Sequence, residues 1–136
     1  MRSTTRKVFL PISPEVERVG KTVLDSAFKV HTALGPGLLE SVYETVLAYE
    51  ITKSGVLVST QVAIPIRYDG TTLESGLRLD MLVGDSVIVE LKSVETMNPV
   101  YEAQLMTYLR LSGIRLGFLI NFNVPHLKDG IKRMVF

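Results

Sequence analysis

The sequence predicts an α/β fold, a mixed β-sheet with helices packed on it. Three observations predict it. Val16 to Leu34 and Leu39 to Ile51 carry apolar residues at helical spacing. Val56 to Ser93 instead runs in short alternating or apolar blocks, separated by Asp69-Gly70 and Gly84-Asp85, residues that favour hairpin turns. A helical stretch then separates the third strand from a fourth, and such a crossover is right-handed and pairs its strands in parallel.

The elements follow in order. Residues 1 to about 12 read as a loose or edge segment. Ser13-Pro14-Glu15 starts the first helix, with Ser13 as N-cap and Pro14 at the first helical position, and Gly35-Pro36-Gly37 stops it. A second helix is expected from Leu38 to about Ser54, with Leu39, Val42, Tyr43, Val46, Leu47 and Ile51 as its apolar stripe and Gly55 at its end. Val56–Tyr68, Thr71–Val83 and Ser86–Ser93 form an antiparallel meander. Asn98-Pro99 opens a third helix that Gly113 ends, Arg115–Asn121 is a further strand, and Ile131–Phe136 a last short one after a loop.

At 136 residues the chain is expected to form one domain, 1–136, with a real core. Hydrophobic content of 46% and charged content of 21% exclude disorder. The net charge of +1 provides no global basic field, so a nucleic-acid site must be a local patch. The absence of cysteine excludes a disulfide scaffold, a thiolate metal site and a cysteine nucleophile. No apolar run approaches the ~18 residues of a membrane span. The basic N-terminus is followed by a short apolar stretch broken by Pro11 and Pro14, unlike a signal peptide, so a cytoplasmic protein is expected.

The chemistry concentrates between Leu77 and Lys92, where Asp80, Glu90 and Lys92 interrupt two apolar strands. Burying carboxylates without partners is costly, so these charges need each other or a metal. Asp80 and Glu90 oppose one another only if the loop has three residues, Gly84 to Ser86, pairing Val83 with Val87; a two-residue turn sends Glu90 to the other face. The remaining face, Leu77, Leu79, Met81, Val83, Val87, Val89 and Leu91, is expected to pack on a helix. Two carboxylates with the Leu91 carbonyl suit magnesium, which takes one or two protein carboxylates and keeps waters. Lys92 is then free to orient a water or stabilise a transition state; the alternative is a structural salt bridge. Glu40 lies in the first turn of the second helix, where the helix dipole favours a carboxylate. Gln104 and Tyr108, four apart, share a helix face. His31 and His126 lack ligand spacing; His31 reads as a capping or core residue.

Taken together, Gly37-x-x-Glu40-x-x-Tyr43, Asp80, Glu90-x-Lys92 and Gln104-x-x-x-Tyr108 resemble the GxxExxY family, a branch of the PD-(D/E)XK nuclease superfamily. The resemblance runs from about residue 15 to the end. Asp80 lacks the preceding proline of the superfamily's name, reading Arg-Leu-Asp. The resemblance implies a restriction-endonuclease-like core (α-β-β-β-α-β) with one extra N-terminal helix. It implies that Asp80 and Glu90 bind Mg2+ or Mn2+, that Lys92 serves the nucleophilic water, that Glu40 adds a carboxylate, and that Gln104 and Tyr108 assist at the substrate side. The function expected is magnesium-dependent phosphodiester hydrolysis, of DNA more than RNA. The alternative is a non-catalytic module that binds nucleic acid or a protein on the same fold. Arg78, Lys92 and Arg110 are the first candidates for phosphate contacts, and exposed sheet edges open a route to a homodimer.

Overall fold

A computed structural model describes residues 10–136. The expected loose N-terminal segment lies outside it over residues 1–9. The elements are α1 (Pro14–Leu34), α2 (Glu40–Lys53), β1 (Val58–Tyr68), β2 (Thr71–Val83), β3 (Val87–Lys92), α3 (Val100–Ser112), β4 (Leu116–Asn121), a one-turn 3-10 helix (Leu127–Gly130) and β5 (Ile131–Val135). The strands form one sheet in chain order. Only β3 and β4, on either side of the α3 crossover, pair in parallel; the other neighbours are antiparallel. Among the described residues no helix is long and apolar enough to cross a membrane.

Local chemistry explains the helix ends. The Ser13 hydroxyl accepts the Val16 N–H at 3.3 Å, and Pro14 follows at the first helical position. Gly35, at φ 69°, ends α1 in a conformation that disfavours side chains. Helix α2 starts at Glu40, two residues later than its periodicity suggests. The Tyr43 hydroxyl accounts for the delay: it donates to the Gly35 carbonyl at 2.5 Å and accepts from the Leu38 N–H at 3.2 Å, holding the turn outside the helix. The buried stripe of α2 is correspondingly narrower than expected, with Tyr43, Leu47 and Ile51 inside, Val46 half-buried, and Leu39 and Val42 exposed. The Asn98 side chain accepts the Val100 N–H to open α3, and Gly113 at φ 79° closes it.

Two apolar layers sandwich the sheet. On one side α1 and α2 pack Val23, Ala27, Val30, Tyr43, Leu47 and Ile51 against Met81, Val83, Val89, Leu91, Phe118 and Ile120. On the other, Leu105 and Leu109 of α3 pack against Leu79, Ile88 and Leu119. Gly117 lets α3 come this close, since a Cβ there would lie 3.1 Å from the Leu105 side chain and 3.3 Å from the Ile88 carbonyl.

The hairpin register agrees with the three-residue loop. Val83 pairs with Val87, and Gly84 and Asp85 turn at φ 56° and 52°. The apolar face does not remain on one side, however, and this corrects the expected alternation. Met81 and Val83 face α1 and α2, whereas Leu79 faces α3. The neighbouring strand shows why. Gln61 sits at φ 52°, between the pairs Thr60–Met81 and Val62–Leu79. Val58 belongs to the α1–α2 layer, and Val62 and Ile64 to the α3 layer. The β1–β2 ribbon therefore turns over at Gln61 and Asp80.

Candidate active site

Asp80 lies where the ribbon turns over and where β2 leaves β3. The two strands pair through Met81–Val89, Leu82–Ile88 and Val83–Val87. One residue further out, side chains replace the backbone ladder. The Asp80 N–H donates to the Glu90 carboxylate at 2.9 Å, and the Leu91 N–H donates to the Asp80 carboxylate at 2.9 Å. Each carboxylate thus satisfies an amide on the opposite strand, and an unpaired buried amide would be costly. Strand β3 stays anchored on its other edge, because its pairing with β4 continues to Lys92–Asn121. The Asn121 side chain extends this anchoring by accepting the Val94 N–H at 3.1 Å and donating to the Val94 carbonyl at 3.0 Å.

Glu90 is buried, with 7% of its surface exposed. Burial pushes its carboxyl up to about 8, and the Asp80 carboxylate pushes the same way, against the Asp80 amide hydrogen bond and the Lys92 charge. Tyr108 on α3 faces this pair: burial raises its phenol, and the negative charge of Glu90 and Asp80 adds to the effect. The Lys92 ammonium stands 4.4 Å from the centroid of the Tyr101 ring. Among the described residues it forms no ion pair with Glu90 or Asp80, so the salt-bridge alternative is not the arrangement found.

A cavity of about 220 Å³ opens beside the carboxylates, lined by Glu40, Ser41, Glu44, Gln61, Asp80 and Leu91. The N-terminal turn of α2 reaches it because the Ser93 hydroxyl, just past β3, donates to the Leu38 carbonyl at 2.6 Å. Glu40 is exposed at its rim. Glu44, one turn on, accepts from the Gln61 amide at 2.8 Å.

The structure thus brings together Glu40, Asp80 and Leu91 around the cavity, ties Asp80 to Glu90, and sets Tyr108 near both carboxylates. Gln104 is exposed one turn before Tyr108. Arg78 is also exposed, but its guanidinium bonds the Gln61 carbonyl at 2.9 Å. Arg110 lies two residues past Tyr108, about 200° further round the helix, and so turns away from the face that Tyr108 presents. The histidines stand apart: His31 is buried with its Nε2 bonded to the Val124 carbonyl at 2.8 Å, and His126 is exposed.

Three residues at the site escaped sequence reasoning. Glu44 carried a signal, four residues after Glu40 and so on the same helix face. Tyr101 carried one too, three before Gln104 and seven before Tyr108. Gln61 carried none, since its unusual backbone conformation is not written in its residue type.

The residues fit a hard divalent cation in part. Among the described residues no group of three acidic or histidine side chains forms a ready-made metal cluster. Magnesium does not require one, taking one or two carboxylates with waters and substrate oxygens. The donor set fits on chemistry: two carboxylates from adjacent strands, one of them buried and short of compensating positive charge.

Comparison with known proteins agrees with this geometry. No curated protein and no solved structure matches the chain. A family model described as the PD-(D/E)XK nuclease superfamily matches residues 17–134, which include every element from the first turns of α1 to β5. With the αβββαβ order and the paired acids at the point where two strands part, the match shows that the chain belongs to the PD-(D/E)XK nuclease superfamily.

Proposed function

We propose that the protein hydrolyses phosphodiester bonds in nucleic acid with Mg2+ or Mn2+, DNA in preference to RNA. The observation that carries this reading is the Asp80–Glu90 exchange beside a lysine held out of an ion pair. Asp80, Glu90 and the Leu91 carbonyl would hold the metal, which supplies Lewis acidity and an activated water when bound. Lys92 would orient that water or stabilise charge developing on phosphorus. Glu40, at the cavity rim, would add a carboxylate to the hydration shell. Gln104 and Tyr108 would position the substrate from α3, with Arg78 and Lys92 as phosphate contacts; Arg110, turned away from that face, drops from the set. The proposal includes the GxxExxY assignment, which the placement of Glu40 at the cavity and of Tyr43 over the Gly35–Leu38 turn supports. It also includes a cytoplasmic location and a homodimer.

The test combines a metal titration with a cleavage assay across double-stranded, single-stranded and branched DNA, and RNA. Asp80→Ala is expected to lose both metal binding and cleavage. Lys92→Ala is expected to keep its metal while cleavage falls by roughly 100- to 1,000-fold, as when one preorganised donor is lost. A wild type that binds metal but cuts none of these substrates would leave the non-catalytic binding module as the better reading.

A further inference from the structure

We propose that Tyr101 is a positioning residue for Lys92: its ring holds the ammonium off the Asp80 and Glu90 carboxylates and so keeps them open to the metal. The inference rests on the metal-dependent reading above and adds a residue to it.

Lys92 has every reason to collapse onto the acids. It follows Glu90 by two residues on β3 and shares its side of the strand. Its stem is flexible and its charge compact. An ion pair there would occupy the carboxylate oxygens that a cation needs. The ammonium is found over an aromatic ring instead, 4.4 Å from the centroid of Tyr101, well inside the ~6 Å range of a cation–π contact.

The ring is itself held. Tyr101 lies in the first turn of α3, where its N–H donates to the Asn98 carbonyl at 3.0 Å. Its side chain packs against the α3-side apolar layer, as do those of Met97 and Tyr108. The helix therefore lays Tyr101, Gln104 and Tyr108 along one face, with the Tyr101 ring under the lysine. The attraction comes from the ring's π-face, so phenylalanine should replace tyrosine and an aliphatic residue should not.

Manganese titration by calorimetry tests this on the intact chain and on Tyr101→Phe, Tyr101→Leu, Tyr101→Met, Lys92→Ala and the Tyr101→Leu/Lys92→Ala double variant. Tyr101→Phe is expected to bind as wild type does. Tyr101→Leu and Tyr101→Met are expected to bind about 3- to 30-fold more weakly, the equivalent of one cation–π contact. The double variant is expected to return to the affinity of Lys92→Ala, because no lysine remains to compete. An NMR measurement reads the contact directly: the Lys92 ε-methylene protons should be shifted upfield by the ring in wild type and Tyr101→Phe, and not in the aliphatic variants. Aliphatic variants that fold, by circular dichroism, and bind manganese like wild type overturn the proposal, as does a double variant that stays weak. An unshifted methylene in a wild type that binds manganese overturns the Tyr101 role alone. A wild type that binds no manganese overturns the metal reading and the proposal with it.

Discussion

From Met81 to Val83, β2 meets β3 in regular antiparallel register, and Met81 and Val83 are fully buried under α1 and α2. One residue earlier, at Asp80, the same strand exchanges its backbone partner for a carboxylate. The two stretches adjoin, yet different forces hold them. Hydrophobic burial and ladder hydrogen bonds fix the first, whereas the second depends on two acids that satisfy each other's strand and leave Glu90 poorly compensated. The apolar rungs give the acids a rigid base, and the divergence of the strands opens room for a cavity beside them. The polar end is thus a local compromise supported by neighbours that make none.

Damage to the frame should have the largest effect. Met81→Ala empties part of the layer between β2 and the first two helices, and such truncations cost about 2–5 kcal/mol. Equilibrium denaturation should show a loss in that range whether or not metal is present. A loss below about 1 kcal/mol would mean that the rungs next to the acids are not the rigid base described.

The polar end should reveal itself through pH. Folded Glu90 keeps its proton up to about 8, whereas an unfolded chain releases it near the ordinary carboxyl value of 4.5. Between those values the folded state binds more protons than the unfolded state, so the contribution of Glu90 to stability falls as pH rises, and it is flat below and above the window. Metal-free protein should therefore lose stability from about pH 4.5 to 8, and Glu90→Gln should remove most of that slope. The expected change is smaller than for Met81→Ala, because Asp80, whose charge opposes Glu90, lines a cavity open to water that screens this repulsion. Melting temperatures across this window, for wild type and variant, measure it; equal slopes in the two proteins would contradict the buried, uncompensated carboxyl.

The same division separates what could be read in the sequence from what could not. The meander and the parallel crossover were legible from the turn residues and the helix between the third and fourth strands, whereas the hairpin register was legible only through the need to oppose two acids, since the Gly84-Asp85 turn alone also allowed Val83 to face Ser86. The helix boundaries were legible where they depend on neighbours, as with Ser13, Pro14 and Gly113. The start of α2 was not, because Tyr43 holds the preceding turn through a hydroxyl that reaches back eight residues to Gly35. The turnover of the ribbon was hidden for a related reason. A non-glycine residue at positive φ looks like any other strand residue, so Gln61 gave no warning that Leu79 and Met81 would part. Tyr101 is visible in hindsight on the face shared by Gln104 and Tyr108, but only the folded chain puts its ring under Lys92.

The smallest effect should come from Arg78, at the outer margin of the polar end. Its side chain is exposed, and its guanidinium leans on the Gln61 carbonyl where the ribbon turns over. If it contacts phosphate, removing it subtracts one charge–charge contact from a protein whose net charge is only +1. The slope of log affinity against log salt should then become shallower by about one. Affinity should fall severalfold at low salt and less at moderate salt, while stability changes by no more than ~0.5 kcal/mol, as for most exposed substitutions. Fluorescence anisotropy with labelled DNA, on the Lys92→Ala background to prevent cleavage, measures both quantities. An unchanged slope with lowered stability would instead give Arg78 to the fold, as a prop under the Gln61 turn, and would confine phosphate recognition to the residues around Lys92.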